Sequence, residues 1–326
     1  MKRNNNRKAS TIVKPAIVVA VIVVLAMALV FLCSDLIEKL KDIQDAPLEA
    51  PVATWDTDGD GTLSILAIGN SFSLDALNYV YQIAQDMGVE KIVLGNLYIG
   101  GCTLNTHADN AKNDYAKYHY FYNDTGTWNK STTTSPGEIG DTAISTVLKS
   151  RSWDYVSLQQ ASGSSGKVES YNEDLEYLIT YVKTRSNAKL VWHMTWAYQQ
   201  NSTHSAFFDY SKDQIAMYNA IVSSVQNKIV TNSNIDLIIP NATAVQNSRT
   251  SFLGDTTTRD GYHMSFDYGR YLTGLMLVKT LTGLPVDRVT YRPAGVDRME
   301  QKIAVDAVNK AAEAPFAVTN SAYMAE

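Results

Sequence analysis

Residues 63–74 read Leu63-Ser64-Ile65-Leu66-Ala67-Ile68-Gly69-Asn70-Ser71-Phe72-Ser73-Leu74. The first six, apolar but for one serine, suit a strand buried on both faces. Gly69-Asn70 ends the run. Over 74–87 the apolar residues then fall at helical spacing, with Leu77, Val80, Tyr81 and Ala84 on one face. A buried strand that leads into a helix is the opening unit of a parallel α/β sheet.

The same alternation recurs downstream. Strands are predicted over 91–94, 155–158, 189–193 and 235–239, and helices over 143–149, 172–184, 213–226, 266–281 and 296–312. Five strands, each followed by a helix, predict a three-layer α/β/α sandwich around a five-stranded parallel, flavodoxin-like sheet. The polar stretch 107–140, rich in Tyr, Asn, Thr and Lys, interrupts the pattern. It reads either as an insertion that walls a site or as an irregular loop.

The chain of 326 residues is 45% hydrophobic and 19% charged, which suits a folded domain and not a disordered or multi-span membrane protein. A net charge of −5, with basic residues clustered only in the first eight positions, argues against a nucleic-acid partner. Cys33 and Cys102 are too few for a disulfide scaffold or a four-thiolate zinc site. The 19 tyrosines and 5 tryptophans suit sugar rings, and equally a secreted core.

Residues 1–15 carry Lys2, Arg3, Arg7, Lys8 and Lys14 and no acid, and 16–33 are uninterruptedly apolar. As a helix that run would span about 27 Å, close to a bilayer's hydrocarbon core. It predicts a transmembrane signal anchor with the basic flank cytoplasmic and the rest of the chain extracytoplasmic. A cleaved signal peptide, giving a secreted protein, is the alternative. Bulky Leu32 counts against a lipoprotein site at Cys33. A linker over 34–62, a catalytic domain over 63–314 and a tail over 315–326 complete the organisation.

Ligands of such sheets bind beyond the carboxyl ends of the strands. The first strand delivers Asn70-Ser71-Phe72-Ser73 there, where either serine could present a hydroxyl or merely cap the helix. The second delivers Gly100-Gly101-Cys102, which lets the backbone approach a ligand closely. The third delivers Gln159-Gln160-Ala161-Ser162, with amide donors. Near the carboxyl end comes Asp260-Gly261-Tyr262-His263, an acid placed to orient a histidine. His107 is a further candidate to touch substrate, whereas His193, between Trp192 and Met194, reads as a packed core residue.

In these blocks the sequence resembles the SGNH (GDSL-like) hydrolase superfamily, in particular the bacterial branch whose first block reads GNSFS. The resemblance covers about 63–284. It implies Ser71 as nucleophile, His263 as general base and Asp260 as its orienter. It also implies an oxyanion hole from the N–H groups of Ser71 and Gly101. The third block departs from the usual GxND and is similar to the QGE-type sequence of sialate- and xylan-acetylesterase-like branches, which puts Gln160 in place of the Asn. A strand sends Gln159 and Gln160 to opposite faces, so only one can serve; Asn70, His107 and Gln159 are then substrate-binding candidates.

The implied activity is hydrolysis of small O-acyl esters, acetyl foremost, on carbohydrate, without metal or organic cofactor. An O-acyltransferase and a non-catalytic glycan-binding module are the alternatives. The partners implied are an acylated glycan or small acyl ester, and the membrane through 16–33. Asp56-Thr57-Asp58-Gly59-Asp60-Gly61 copies half of a calcium loop, but Ala67 stands where the bidentate Glu is needed, so it reads as a solvated acidic turn.

Overall fold

The computed structural model describes residues 55–130 and 139–324. The basic flank and the apolar run 16–33 lie outside the described residues. Among the described residues, no helix is long and apolar enough to cross a membrane.

The opening run becomes β1 (Thr62–Gly69), buried along its whole length. The sheet continues with β2 (Lys91–Tyr98), β3 (His119–Asn123), β4 (Asn129–Lys130), β5 (Tyr155–Leu158), β6 (Lys189–His193) and β7 (Leu237–Ile239), in the spatial order β4-β3-β2-β1-β5-β6-β7. The five parallel strands therefore keep the flavodoxin-like succession, second-first-third-fourth-fifth.

The expectation of five strands is corrected to seven. β3 and β4 come from the polar stretch 107–140 and pair antiparallel at the β2 edge. His119-Tyr120-Phe121-Tyr122 supplies strand-forming aromatics, and the hairpin covers what would be an open edge.

β2 runs four residues beyond the predicted end because Gly95-Asn96, turn-like in sequence, is packed inside the sheet. A Cβ at Gly95 would lie only 3.0 Å from Leu66 and Trp153 and 3.1 Å from Tyr120. Asn96 is fully buried and accepts a hydrogen bond from Ser73 Oγ at 2.9 Å.

The helices are α1 (Ser71–Leu77), α2 (Val80–Asp86), α3 (Leu104–Lys112), α4 (Ile144–Leu148), α5 (Glu173–Lys183), α6 (Gln214–Lys228), α7 (Asn241–Arg249), α8 (Tyr268–Thr282) and α9 (Arg298–Glu313). The single helix predicted over 74–87 is two, broken at Asn78-Tyr79. α3 and α7 were hidden by their polar residues. Every residue of α7 is nonetheless buried, and its polar side chains find partners: Asn247 donates to Ala307 O and Arg249 to Ala197 O. The largely buried α8 packs on α1, α2, α7 and α9, while α3 packs on α4 and α5. This leaves the carboxyl ends of the parallel strands as the edge where loops converge.

Candidate active site

Asn70, directly after β1, caps α1 by accepting the Phe72 N–H at 3.0 Å, so neither serine is the cap. Ser73 is buried and bonded to Asn70 O (2.8 Å) and to Asn96. Ser71, the first helical residue, is left facing the cleft, and its hydroxyl lies 2.8 Å from His263 Nε2. His263 Nδ1 lies 2.7 Å from Asp260 Oδ2. The carboxylate can only accept from Nδ1–H, so Nε2 is the acceptor for the serine proton. Burial pushes the Asp260 carboxyl up. Hydrogen bonds from the His263 ring and from the backbone N–H groups of His263 and Tyr262 outweigh it, and the acid sits below its ordinary value.

The loop that carries Asp260 and His263 is held from three sides. Asp75, fully buried on α1 one turn beyond Ser71, accepts from Met264 N (2.9 Å), Arg259 Nη1 (3.1 Å) and Arg270 Nε (2.8 Å). Arg259 also donates to Met264 O. After β6, Trp196 Nε1 donates to Tyr262 O (2.7 Å) and Gln199 N to Gly261 O (2.8 Å). Trp196 stacks on Phe72, with ring centroids 4.4 Å apart, so the residue after the serine is fixed by the same indole. Gly261 sits at φ +92 with Ser202 against it, a conformation and a space that suit only glycine.

Beneath the cleft runs a buried polar chain. Asn241 donates to His193 Nε2 (3.0 Å), His193 Nδ1–H to Gln159 Oε1 (3.2 Å), Gln159 Nε2 to Asn70 Oδ1 (2.8 Å) and Asn70 Nδ2 to Cys102 O (3.1 Å). Gln159 and Asn70 thus hold each other and the loop after β2. Gln160 is turned away: Oε1 accepts from Leu104 N and Ala161 N, and Nε2 donates to Ser170. Gly101 lines the cleft at φ +64, in the left-handed region that glycine accepts readily.

His107 is fully buried, stacked on Tyr118 with Nδ1 2.7 Å from its hydroxyl, and does not line the cleft. Burial holds both His107 and His193 at a pKa of about 3, hence neutral. Burial pushes the Cys102 thiol up to about 12, which makes it a poor nucleophile beside Ser71.

The cleft encloses about 510 Å³ and is open to solvent. The structure adds Tyr98 and His204 to its walls, together with Arg259 and Tyr262 from the loop that carries Asp260 and His263. His204 caps the turn Ser205–Tyr210 by accepting Ala206 N–H at Nδ1, which leaves the proton on Nε2. Burial, and then the nearby His263, lower its pKa. No local pattern marks Tyr98 or His204 as wall residues; only the folding of distant segments brings them there. Away from the cleft, carboxylate oxygens of Asp56, Asp58 and Asp154 lie within 4.8 Å of one another. Asp56 already accepts from Gly59 and Gly61 N–H, and Asp154 from Thr57 and Ser64, so these two acids serve the turn's own backbone and its junction with β1.

The family described as "Domain of unknown function (DUF4886)" matches residues 64–311, and the chain belongs to it. A crystal structure of a DUF4886 family protein from Bacteroides uniformis is 36% identical and covers 79% of this chain and 98% of its own, with a TM-score of 0.75. A proposed SGNH hydrolase from Slackia heliotrinireducens is 19% identical over 68% of this chain and 99% of its own, with a TM-score of 0.42. A variant of an acetyl-xylooligosaccharide esterase from Geobacillus is 11% identical over 67% of this chain and 93% of its own, with a TM-score of 0.43. No curated protein matches the chain.

Two outcomes follow from the buried ionisable groups. Asp75→Asn leaves two arginines without their anion and should lower the unfolding free energy by about 3 kcal/mol in urea. The Met264 amide should exchange with solvent faster in the same variant. The buried histidines bind no proton in the fold until pH nears 3, but do so near 6.5 when unfolded. Their contribution is complete above pH 6.5 and declines as pH falls from there, by up to about 1.4 kcal/mol per pH unit for each. Urea midpoints at pH 7.5 and 5.5 should show that drop, and His193→Gln should reduce it.

Proposed function

We propose that this member of the DUF4886 family is a serine esterase that removes small O-acyl groups, acetyl foremost, from carbohydrate through an acyl-serine intermediate. The observation that carries the reading is the unbroken line Ser71 Oγ–His263 Nε2–Asp260, at 2.8 and 2.7 Å, inside an open cleft. A hydroxyl in hydrogen bond with a histidine that a carboxylate orients is the arrangement nucleophilic acyl transfer needs.

Ser71 Oγ attacks the ester carbonyl as His263 Nε2 takes its proton. Asp260 holds the ring tautomer and stabilises the imidazolium. The oxyanion is met by backbone N–H donors, those of Ser71 and Gly101. Gln160 has no part in this, since its amide is spent on Leu104, Ala161 and Ser170. Gln159 acts one step back, by fixing Asn70. The imidazolium returns its proton to the departing alcohol. Water then enters, gives a proton to His263 and attacks the acyl-serine, and the acid is released as Ser71 regains its hydroxyl proton. His263 and Asp260 are 17% and 39% exposed, which supports water, more than a second sugar hydroxyl, as the acyl acceptor. The basic flank and the apolar run 16–33 support an enzyme tethered to the membrane and acting outside it.

A fluorophosphonate probe should label the full-length chain rapidly, label Ser71→Ala not at all, and label His263→Ala at least a hundredfold more slowly. Equal labelling of wild type and Ser71→Ala would remove the serine from the mechanism. Gln160→Ala should cost less than tenfold in kcat on 4-nitrophenyl acetate, whereas losing an oxyanion donor costs about a hundredfold or more. A hundredfold loss would restore Gln160 to the oxyanion hole.

A further inference from the structure

We infer that a second cleft, continuous with the first, is the subsite for the alcohol part of the ester, and that its ligand is a segment of an uncharged oligosaccharide. The inference rests on the esterase reading above. This cleft encloses about 420 Å³, within the usual range of small-molecule sites, and shares Tyr98 and Gly100 with the cleft that contains Ser71. A chain reaching from one to the other crosses the Gly100-Gly101 turn. The far wall is built by Thr106, Asp109 and Asn110 of α3 and by Lys117, just before β3.

Asn110 points most directly to a ligand. It is 2% exposed and lines this cleft, and its carboxamide has one polar neighbour, the Tyr118 hydroxyl, with the rest of its hydrogen-bonding capacity unpartnered. That hydroxyl is shared with His107 Nδ1 at 2.7 Å, so it cannot satisfy both ends of the carboxamide. A buried carboxamide left largely unpaired is costly, and its free donor and acceptor positions match neighbouring sugar hydroxyls.

The remaining lining fits the same class. Lys117 and Asp109 set one cation against one anion, which gives no preference for a charged ligand. The Tyr98 ring is braced by Phe121 (centroids 5.8 Å apart, interplanar angle 79°) and by His119 (6.3 Å), and offers a flat apolar face to pyranose C–H groups. Burial, followed by the charge of Asp75, raises the Tyr98 pKa, so the phenol remains a donor at neutral pH.

The test compares kcat/KM of the full-length chain on partly acetylated xylohexaose with kcat/KM on 4-nitrophenyl acetate, whose alcohol is too short to extend from Ser71 along the second cleft. Asn110→Ala should lower the ratio about tenfold, mainly through KM for the hexaose. The surface variant Lys117→Ala, which does not threaten folding, should lower it several-fold. If wild type hydrolyses neither ester, the esterase reading fails on its own, and titration calorimetry of Ser71→Ala with xylohexaose or cellohexaose decides the subsite. Binding that weakens in Lys117→Ala sustains it. An unchanged ratio in both variants, or no heat with either sugar, overturns it.

Discussion

The arrangement of this molecule turns on one fully buried carboxylate. Asp75 stands one helical turn after Ser71 and takes hydrogen bonds from Met264, Arg259 and Arg270, residues 189, 184 and 195 positions away in sequence. An anion that has left water is stable only where cations and N–H groups replace its hydration. Here those groups belong to the segment that carries Asp260 and His263. Satisfying Asp75 and placing the histidine against the serine are therefore one event. A helix that shifted would strand the charge, so the energetic need of the core sets the geometry of the cleft.

A second buried polar system does the same for the other wall. The chain Asn241–His193–Gln159–Asn70 ends on the Cys102 carbonyl and joins the ends of β7, β6, β5, β1 and β2. Each member is held by the next, and neutral His193 can both accept and donate along it. In sequence, Gln159 and Asn70 read as groups that touch a substrate. In the fold the two are bonded to each other, and Asn70 lines the cleft while its amide holds the Cys102 carbonyl. Trp196 links the two systems, with its ring on Phe72 and its N–H on Tyr262 O.

Much of the fold was legible because it follows from short-range physics. Strands 155–158 and 189–193 coincide with β5 and β6, since buried parallel strands must be continuous apolar runs. The misses share one cause. β3, α3 and α7 are rich in polar or aromatic residues whose partners lie far along the chain, so the local sequence carries no period to detect. β2 was cut short at Gly95-Asn96 for a similar reason: the glycine is there to admit Leu66 and Trp153, and the asparagine to receive Ser73.

The same division applies to the cleft. The sequence by itself located the candidates whose spacing is local: two serines at the end of the first strand, of which the family resemblance points to Ser71, Gly101 in the turn after the second, and Asp260 three positions before His263, a separation the backbone of one short loop can close. It also determined that these would gather at one sheet edge, because parallel strands put their carboxyl ends together. Only the tertiary structure decided which way each amide faces, turning Gln160 toward Ser170 and Gln159 toward Asn70. It alone buried His107 against Tyr118 and brought His204 and Arg259 to the wall. Those outcomes depend on hydrogen bonds between residues far apart in the chain, and such bonds leave no trace in local composition or period.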